Sequence, residues 1–209
     1  STALGTAVAR GRFNDDDLFD LAISAPTENA PGQMQAGAVY LYFGSADGIP
    51  ATPDVVISGG VASARFGTGL AAGGFSSASR DDLFVGAPGS QGGAGRVYMF
   101  TGGSFVAGAY TSADADGTVS VSASSPGWFA GGALGTDLTV LDLDGDGLDD
   151  LAVAASNGGS LRGGVAIIYG GTAGSSVTLS DVDSSGLGGA VVHLVEEPSA
   201  IAGRQFGRY

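Results

Sequence analysis

The chain has 209 residues, a formal net charge of −13 and no cysteine. It can therefore build no disulfide framework, no thiolate metal site and no cysteine nucleophile. So acidic a surface repels phosphate backbones, which excludes nucleic acid as a partner class. A hydrophobic share of 44% supports a real core, and 39 glycines, against a usual share of about 7%, point to many short strands and turns. No apolar run reaches the roughly 20 residues needed to span a bilayer, so no membrane insertion is expected. The opening STALGT is not a signal-peptide pattern, so an export signal for this chain would lie outside it.

In chain order, one pattern recurs three times: LGTAVARGRFNDDDLFDLAISAP from Leu4, FGTGLAAGGFSSASRDDLFVGAP from Phe66, and LGTDLTVLDLDGDGLDDLAVAAS from Leu134. A further copy opens at Phe206 with FGRY. Self-similarity at a nearly fixed period signals stacked supersecondary units, none of which can bury its apolar faces alone. After Leu-Gly or Phe-Gly each unit reads as a first strand, a polar loop and a short apolar strand: LAIS, LFVG or LAVA. Such continuous apolar runs suit strands covered on both faces. The SAP or GAP that follows the first two ends them, because proline cannot donate to a ladder. Third strands follow from Gly37 (GAVYLYFG), Gly95 (GRVYMF) and Gly163 (GGVAIIYG), and fourth strands at Val55 to Ser58, Thr118 to Ala123 and Ala190 to Val195.

Four antiparallel strands per repeat, repeated radially, describe propeller blades. The reading is one all-β array with blades over approximately 4–60, 66–123 and 134–195 and the start of another at 206–209. The polar stretches Thr101 to Asp116 and Gly171 to Gly189 are expected to be surface hairpin loops.

The loop of the third repeat carries the chemistry. Asp142, Asp144 and Asp146 alternate, Gly147 permits a bend, Leu148 is placed to offer its backbone carbonyl, and Asp150 closes the segment. Calcium takes six to eight oxygen ligands, and carboxylates alternating along a tight loop can all turn inward to supply them. Without a cation, each pair of carboxylates would repel by about 1 kcal/mol even in water at 4 Å. An EF-hand would need a glutamate at loop position 12, where this chain has Val153. The loop is thus shorter and runs directly into a strand.

These residues resemble the FG-GAP repeats of integrin alpha-subunit β-propellers and their bacterial relatives. Phe66-Gly67 followed by Gly86-Ala87-Pro88 is the name motif, and Asp142 to Asp150 matches the family's D-x-D-x-D-G-x-x-D loop. The resemblance implies four-stranded blades, with calcium held between the first two strands by Asp142, Asp144, Asp146, the Leu148 carbonyl and Asp150. In the first repeat the matching positions are Arg12, Asn14, Asp16, Leu18 and Asp20, with Asp17 in place of the glycine. A weaker site on Asn14, Asp16, Leu18 and Asp20 and a solvated acidic turn both remain open there. In the second repeat the positions are Gly74, Ser76, Ala78, Arg80 and Asp82, a loop without its acids that is expected to bind no metal. Integrin propellers have seven blades and propellers in general about four to eight. Three blades are thus expected either to belong to a longer propeller or to complete a ring with other chains.

No catalytic constellation is legible. His193 is the one histidine and reads as a structural or surface residue, and Glu196-Glu197 as a solvated turn, since a glycosidase pair must face across a cleft. Trp128 and Phe129 are expected to pack between blades. Arg10-Gly11-Arg12 lacks an acid and receives no role. The expected function is a non-catalytic, calcium-binding module, secreted or displayed on a cell surface, for adhesion or recognition of a protein or glycan. The alternatives are an accessory propeller of a secreted hydrolase and a structural assembly subunit.

Overall fold

A computed structural model describes residues 2–121, 132–158, 162–171, 177–179 and 192–196. They form three sheets. The first blade holds β1 (Val8–Gly11), β2 (Asp20–Ala25), β3 (Ala38–Tyr42) and β4 (Val55–Ser58), paired antiparallel in sequence order. In the second, β5 (Leu70–Gly73), β6 (Asp82–Ala87) and β7 (Arg96–Phe100) precede β8 (Gly108–Thr111) and β9 (Gly117–Val121), and the order in the sheet is β5-β6-β7-β9. The third contains β10 (Leu134–Leu141), β11 (Asp150–Gly158), β12 (Arg162–Ile168), β13 (Val177–Leu179) and β14 (Val192–Glu196), ordered β10-β11-β12-β14. The only helical pieces among the described residues are an irregular turn at Ser90–Gly93 and a 3-10 turn at Ser112–Asp114. As expected, β2 and β6 stop at Ala25 and Ala87, each directly before proline.

The structure corrects one reading. The polar stretches are not plain hairpin loops. β8 leaves the second repeat to pair parallel with β4, and β13 leaves the third to pair parallel with β9. Each blade thus lends a short strand to the outer edge of the blade before it, satisfying backbone groups that an open edge would expose. The segment Gly108-Ala-Tyr-Thr has no apolar alternation to announce a strand. Its pairing rests on backbone bonds, flanked by Gly108 N–H to Asp54 O at 2.9 Å and Gly60 N–H to Ser112 Oγ at 3.1 Å. Trp128, Phe129, Glu197 and the FGRY of 206–209 lie outside the described residues. His193 and Glu196 fall within β14.

The cores lie between the sheets. One cluster joins the first and second blades and includes Phe13, Leu41, Ile57, Phe66, Leu83 and Phe100, and the other joins the second and third through Phe75, Phe84, Leu134, Leu151 and Ile168. Every residue of β6 is buried, because its sheet has a neighbour on both faces. β2 alternates from Asp20 to Ser24 instead, with Leu21 and Ile23 only partly covered.

The repeat signature acts as a wedge between blades. Phe66 is fully buried, edge-on to Tyr98 and Phe100 with centroids 5.4 and 6.4 Å away. It bridges Gly37 of the first blade, as Leu134 bridges Gly95 of the second. Gly86 of the GAP triplet lies so close to the third blade that an added Cβ would sit 2.0 Å from Gly135 O. Glycine there is a requirement of sheet-to-sheet approach.

Candidate metal centre

The hairpin between β10 and β11 places Asp142, Asp144 and Asp146 on an exposed turn, with one oxygen from each carboxylate within 4.8 Å of the others. Their alternation does this through side-chain-to-backbone bonds that fold the turn locally. Asp142 accepts from Gly145 N–H and Gly147 N–H at 2.6 and 3.2 Å, Asp144 Oδ1 from Asp146 N–H at 3.1 Å, and Asp146 Oδ1 from Leu148 N–H at 2.8 Å. Gly145 and Gly147 take φ of 81° and 92°, which a side chain would strain. Asp144 and Asp146 each engage Oδ1 in these bonds. Three hard oxygen donors without nitrogen or sulfur suit calcium or magnesium, and calcium tolerates irregular carboxylate geometry better than magnesium with its strict octahedron.

Asp150 stands apart from this cluster. It is fully buried, Oδ2 accepting from Leu143 N–H at 2.8 Å and Oδ1 from Gly170 N–H at 2.9 Å. Its counterparts behave alike. Asp20 accepts from Phe13 N–H at 2.8 Å, Asn14 N–H at 3.3 Å and Gly44 N–H at 2.9 Å. Asp82 accepts from Ser76 N–H, Ser76 Oγ–H and Gly102 N–H at 2.6, 2.8 and 2.8 Å. In every repeat the closing aspartate ties the two ends of its loop to the strand turn alongside. The second loop shows that this work needs no metal ligands, since Asp82 persists where the other acids are gone. Burial pushes the Asp20 and Asp82 carboxyls above the ordinary range, and the backbone N–H groups oppose that shift.

In the first loop Asn14 Nδ2–H donates to Asp16 Oδ2 at 2.8 Å, Asp16 N–H to Asn14 Oδ1 at 3.0 Å, and Leu18 N–H to Asp16 Oδ1 at 2.8 Å. The amide thus occupies the carboxylate oxygen that faces it. Arg12, where the third loop has Asp142, turns away to Asp81 of the second blade, Nε to Oδ2 at 3.1 Å. From the second loop Arg80 reaches back to Asp15 and Asp17 at 3.3 and 3.2 Å.

Asp81 and Asp149 escaped the sequence reading. Asp81 Oδ2 accepts Arg12 N–H and Asp149 Oδ2 accepts Gly74 N–H, both at 2.8 Å, so each joins its own hairpin to the loop of the preceding blade. The doubled Asp81-Asp82 and Asp149-Asp150 was the available signal. Superposed repeats show two carboxylates where the loop pattern uses one.

Stacked sheets built on four antiparallel strands, wedged at Phe66-Gly67 and Leu134-Gly135 and carrying a polar turn between their first two strands that is rich in aspartate in the first and third, define FG-GAP blades of a β-propeller. The FG-GAP repeat family model matches residues 134–169, the blade that holds the three-aspartate turn. Phosphatidylinositol-glycan-specific phospholipase D of Rattus norvegicus is 32% identical over 180 residues, spanning 79% of this chain and 20% of that protein. The Bos taurus enzyme of the same name is 31% identical over 184 residues, spanning 82% and 21%. Integrin alpha-5 of Xenopus laevis is 31% identical over 157 residues, spanning 72% and 14%. The chain belongs to the integrin-alpha-like FG-GAP family, and it spans about a fifth of the length of the phospholipase D relatives it matches.

Proposed function

We propose that this chain is a calcium-stabilised recognition module, secreted or displayed on a cell surface, that presents propeller loops to a protein or glycan partner and performs no bond chemistry itself. The observation that carries the reading is the convergence of Asp142, Asp144 and Asp146 on one glycine-bent turn. Calcium there would neutralise three like charges and stiffen the turn, with the Leu148 carbonyl and Asp150 as further oxygen donors. Asp150 retains lone pairs beyond its two backbone bonds. Affinities of about 0.1–1 mM suffice for extracellular modules. The first loop, whose Asn14 and Asp16 satisfy each other, is the weaker candidate.

Calorimetric titration with calcium tests this, alongside melting in calcium and in chelator. Asp146→Ala should abolish the binding heat and the calcium-dependent rise in Tm while leaving the melt in chelator nearly unchanged. Equal calcium heats for parent and variant would refute it.

The similarity to phosphatidylinositol-glycan-specific phospholipases D supports a second reading, an accessory propeller attached to a hydrolase. Calcium and glycan or protein recognition would then serve an active site elsewhere in that longer protein. A hydrolytic activity intrinsic to this chain, lost on substituting its own acids, would overturn both readings.

A further inference from the structure

The same three backbone contacts recur at both blade junctions. An aspartate Oδ2 accepts the N–H of Arg12 or Gly74 at 2.8 Å. Its own N–H points back to the carbonyl of that residue, at 3.4 Å for Asp81 to Arg12 and 3.1 Å for Asp149 to Gly74. A glycine N–H then reaches the phenylalanine carbonyl beyond, Gly103 to Phe13 at 2.9 Å and Gly171 to Phe75 at 2.8 Å. A Cβ at Gly73 would lie 2.5 Å from Val140 Cγ1 and 2.6 Å from Asp149 Oδ2, whereas one at Gly11 would meet the Phe13 ring at 2.6 Å before Asp81 Cβ at 3.1 Å.

Side chains separate the two junctions. At the first, Arg12 adds an ion pair to Asp81, and Arg80 spans Asp15 and Asp17. At the second, the matching positions hold Gly74, Leu148, Ser77 and Ser79, which can form no such pair. The junction without charged ties is the one whose incoming hairpin bears the three-carboxylate turn. Asp149 lies three residues beyond Asp146 and adjoins Asp150, which holds the start of that turn at Leu143 N–H and the neighbouring strand turn at Gly170 N–H.

We infer that Asp149 is a positioning residue that couples calcium occupancy of the third-blade turn to the order of the second-blade loop from Gly74 onward, while the first junction is tied by protein alone and is indifferent to calcium. The inference rests on the calcium reading above. A cation that fixes Asp142 to Asp146 limits the motion of the hairpin end, and Asp149 passes that restraint to Gly74 N–H. The Gly74 loop lacks the alternating acids of the third turn, and its closing Asp82 takes hold at Ser76, two residues beyond Gly74. Asp149, Gly73 and Val140 also line a cleft of about 470 Å³ between the inner strands, so the coupling extends to its wall.

Amide exchange of the whole chain, read by NMR with calcium and with chelator, tests this. Calcium should slow the amides of 143–148 and of Gly74 by about threefold or more, and leave Arg12 and Gly103 unchanged. Asp149→Ala should still bind calcium and protect 143–148, yet lose the response at Gly74. Asp149→Asn, which keeps an oxygen acceptor, should retain it and guards against a misfolded alanine variant. Protection of 143–148 without any at Gly74 in the parent overturns the coupling alone, as does a Gly74 response that survives in Asp149→Ala. No calcium response at 143–148 overturns the calcium reading and the coupling together.

Discussion

Replacing Asp82 by alanine isolates the structural duty of the closing aspartate, because its loop has none of the other acids of the calcium pattern. The side chain is fully buried and its oxygens receive Ser76 N–H, Gly102 N–H and the Ser76 hydroxyl. Truncation strands two backbone donors, at about 1–3 kcal/mol each, whereas the hydroxyl can rotate to another partner. Against this stands the relief of no longer burying a carboxylate, the effect that raises its pKa. The net expectation is a loss of about 2–4 kcal/mol, in the range reserved for broken buried networks. Urea unfolding at neutral pH should show a lower midpoint at unchanged m-value, by the same amount in calcium and in chelator. A loss below about 0.5 kcal/mol would refute the structural assignment. So would a loss that disappears when calcium is removed, since the aspartate would then act through a metal.

Phe66→Ala should cost about 4–5 kcal/mol in the same assay, the upper part of the range for buried phenylalanine, because two edge-on aromatic contacts go with the ring. Phe66→Leu, which installs the residue found at the equivalent Leu134, should cost less than half as much, and equal losses would contradict the wedge role. The pH dependence has a definite sign. Because Asp82 binds its proton more tightly folded than unfolded, its contribution to stability is greatest below the ordinary carboxyl value of 3.8 and declines as pH rises through its elevated native value. The gap in urea midpoint between the parent and Asp82→Ala should therefore be wider at pH 3.5 than at pH 6.5. A gap that widens with pH would show that the N–H bonds outweigh burial.

Much of this molecule was legible in its sequence, because the repeat presents the same physical demands three times. Proline ends β2 and β6, apolar runs of strand length mark β6 and β11, and Phe-Gly or Leu-Gly pairs mark the wedges. Alternating aspartates around glycine dictate the third turn, since those bonds form between residues only a few positions apart. What sequence could not decide depends on pairs distant in the chain. β8 is recognisable only by the edge of β4, more than 40 residues earlier, which its four unremarkable residues complete. Asp149 and Asp150 are chemically identical neighbours, one just before β11 and the other its first residue. One reaches back 75 positions to Gly74 and the other closes its own turn. The sequence determined that carboxylates would gather in this hairpin, and only the stacking of the blades decided which of them stay exposed on the turn and which are held against the backbone of a neighbouring loop.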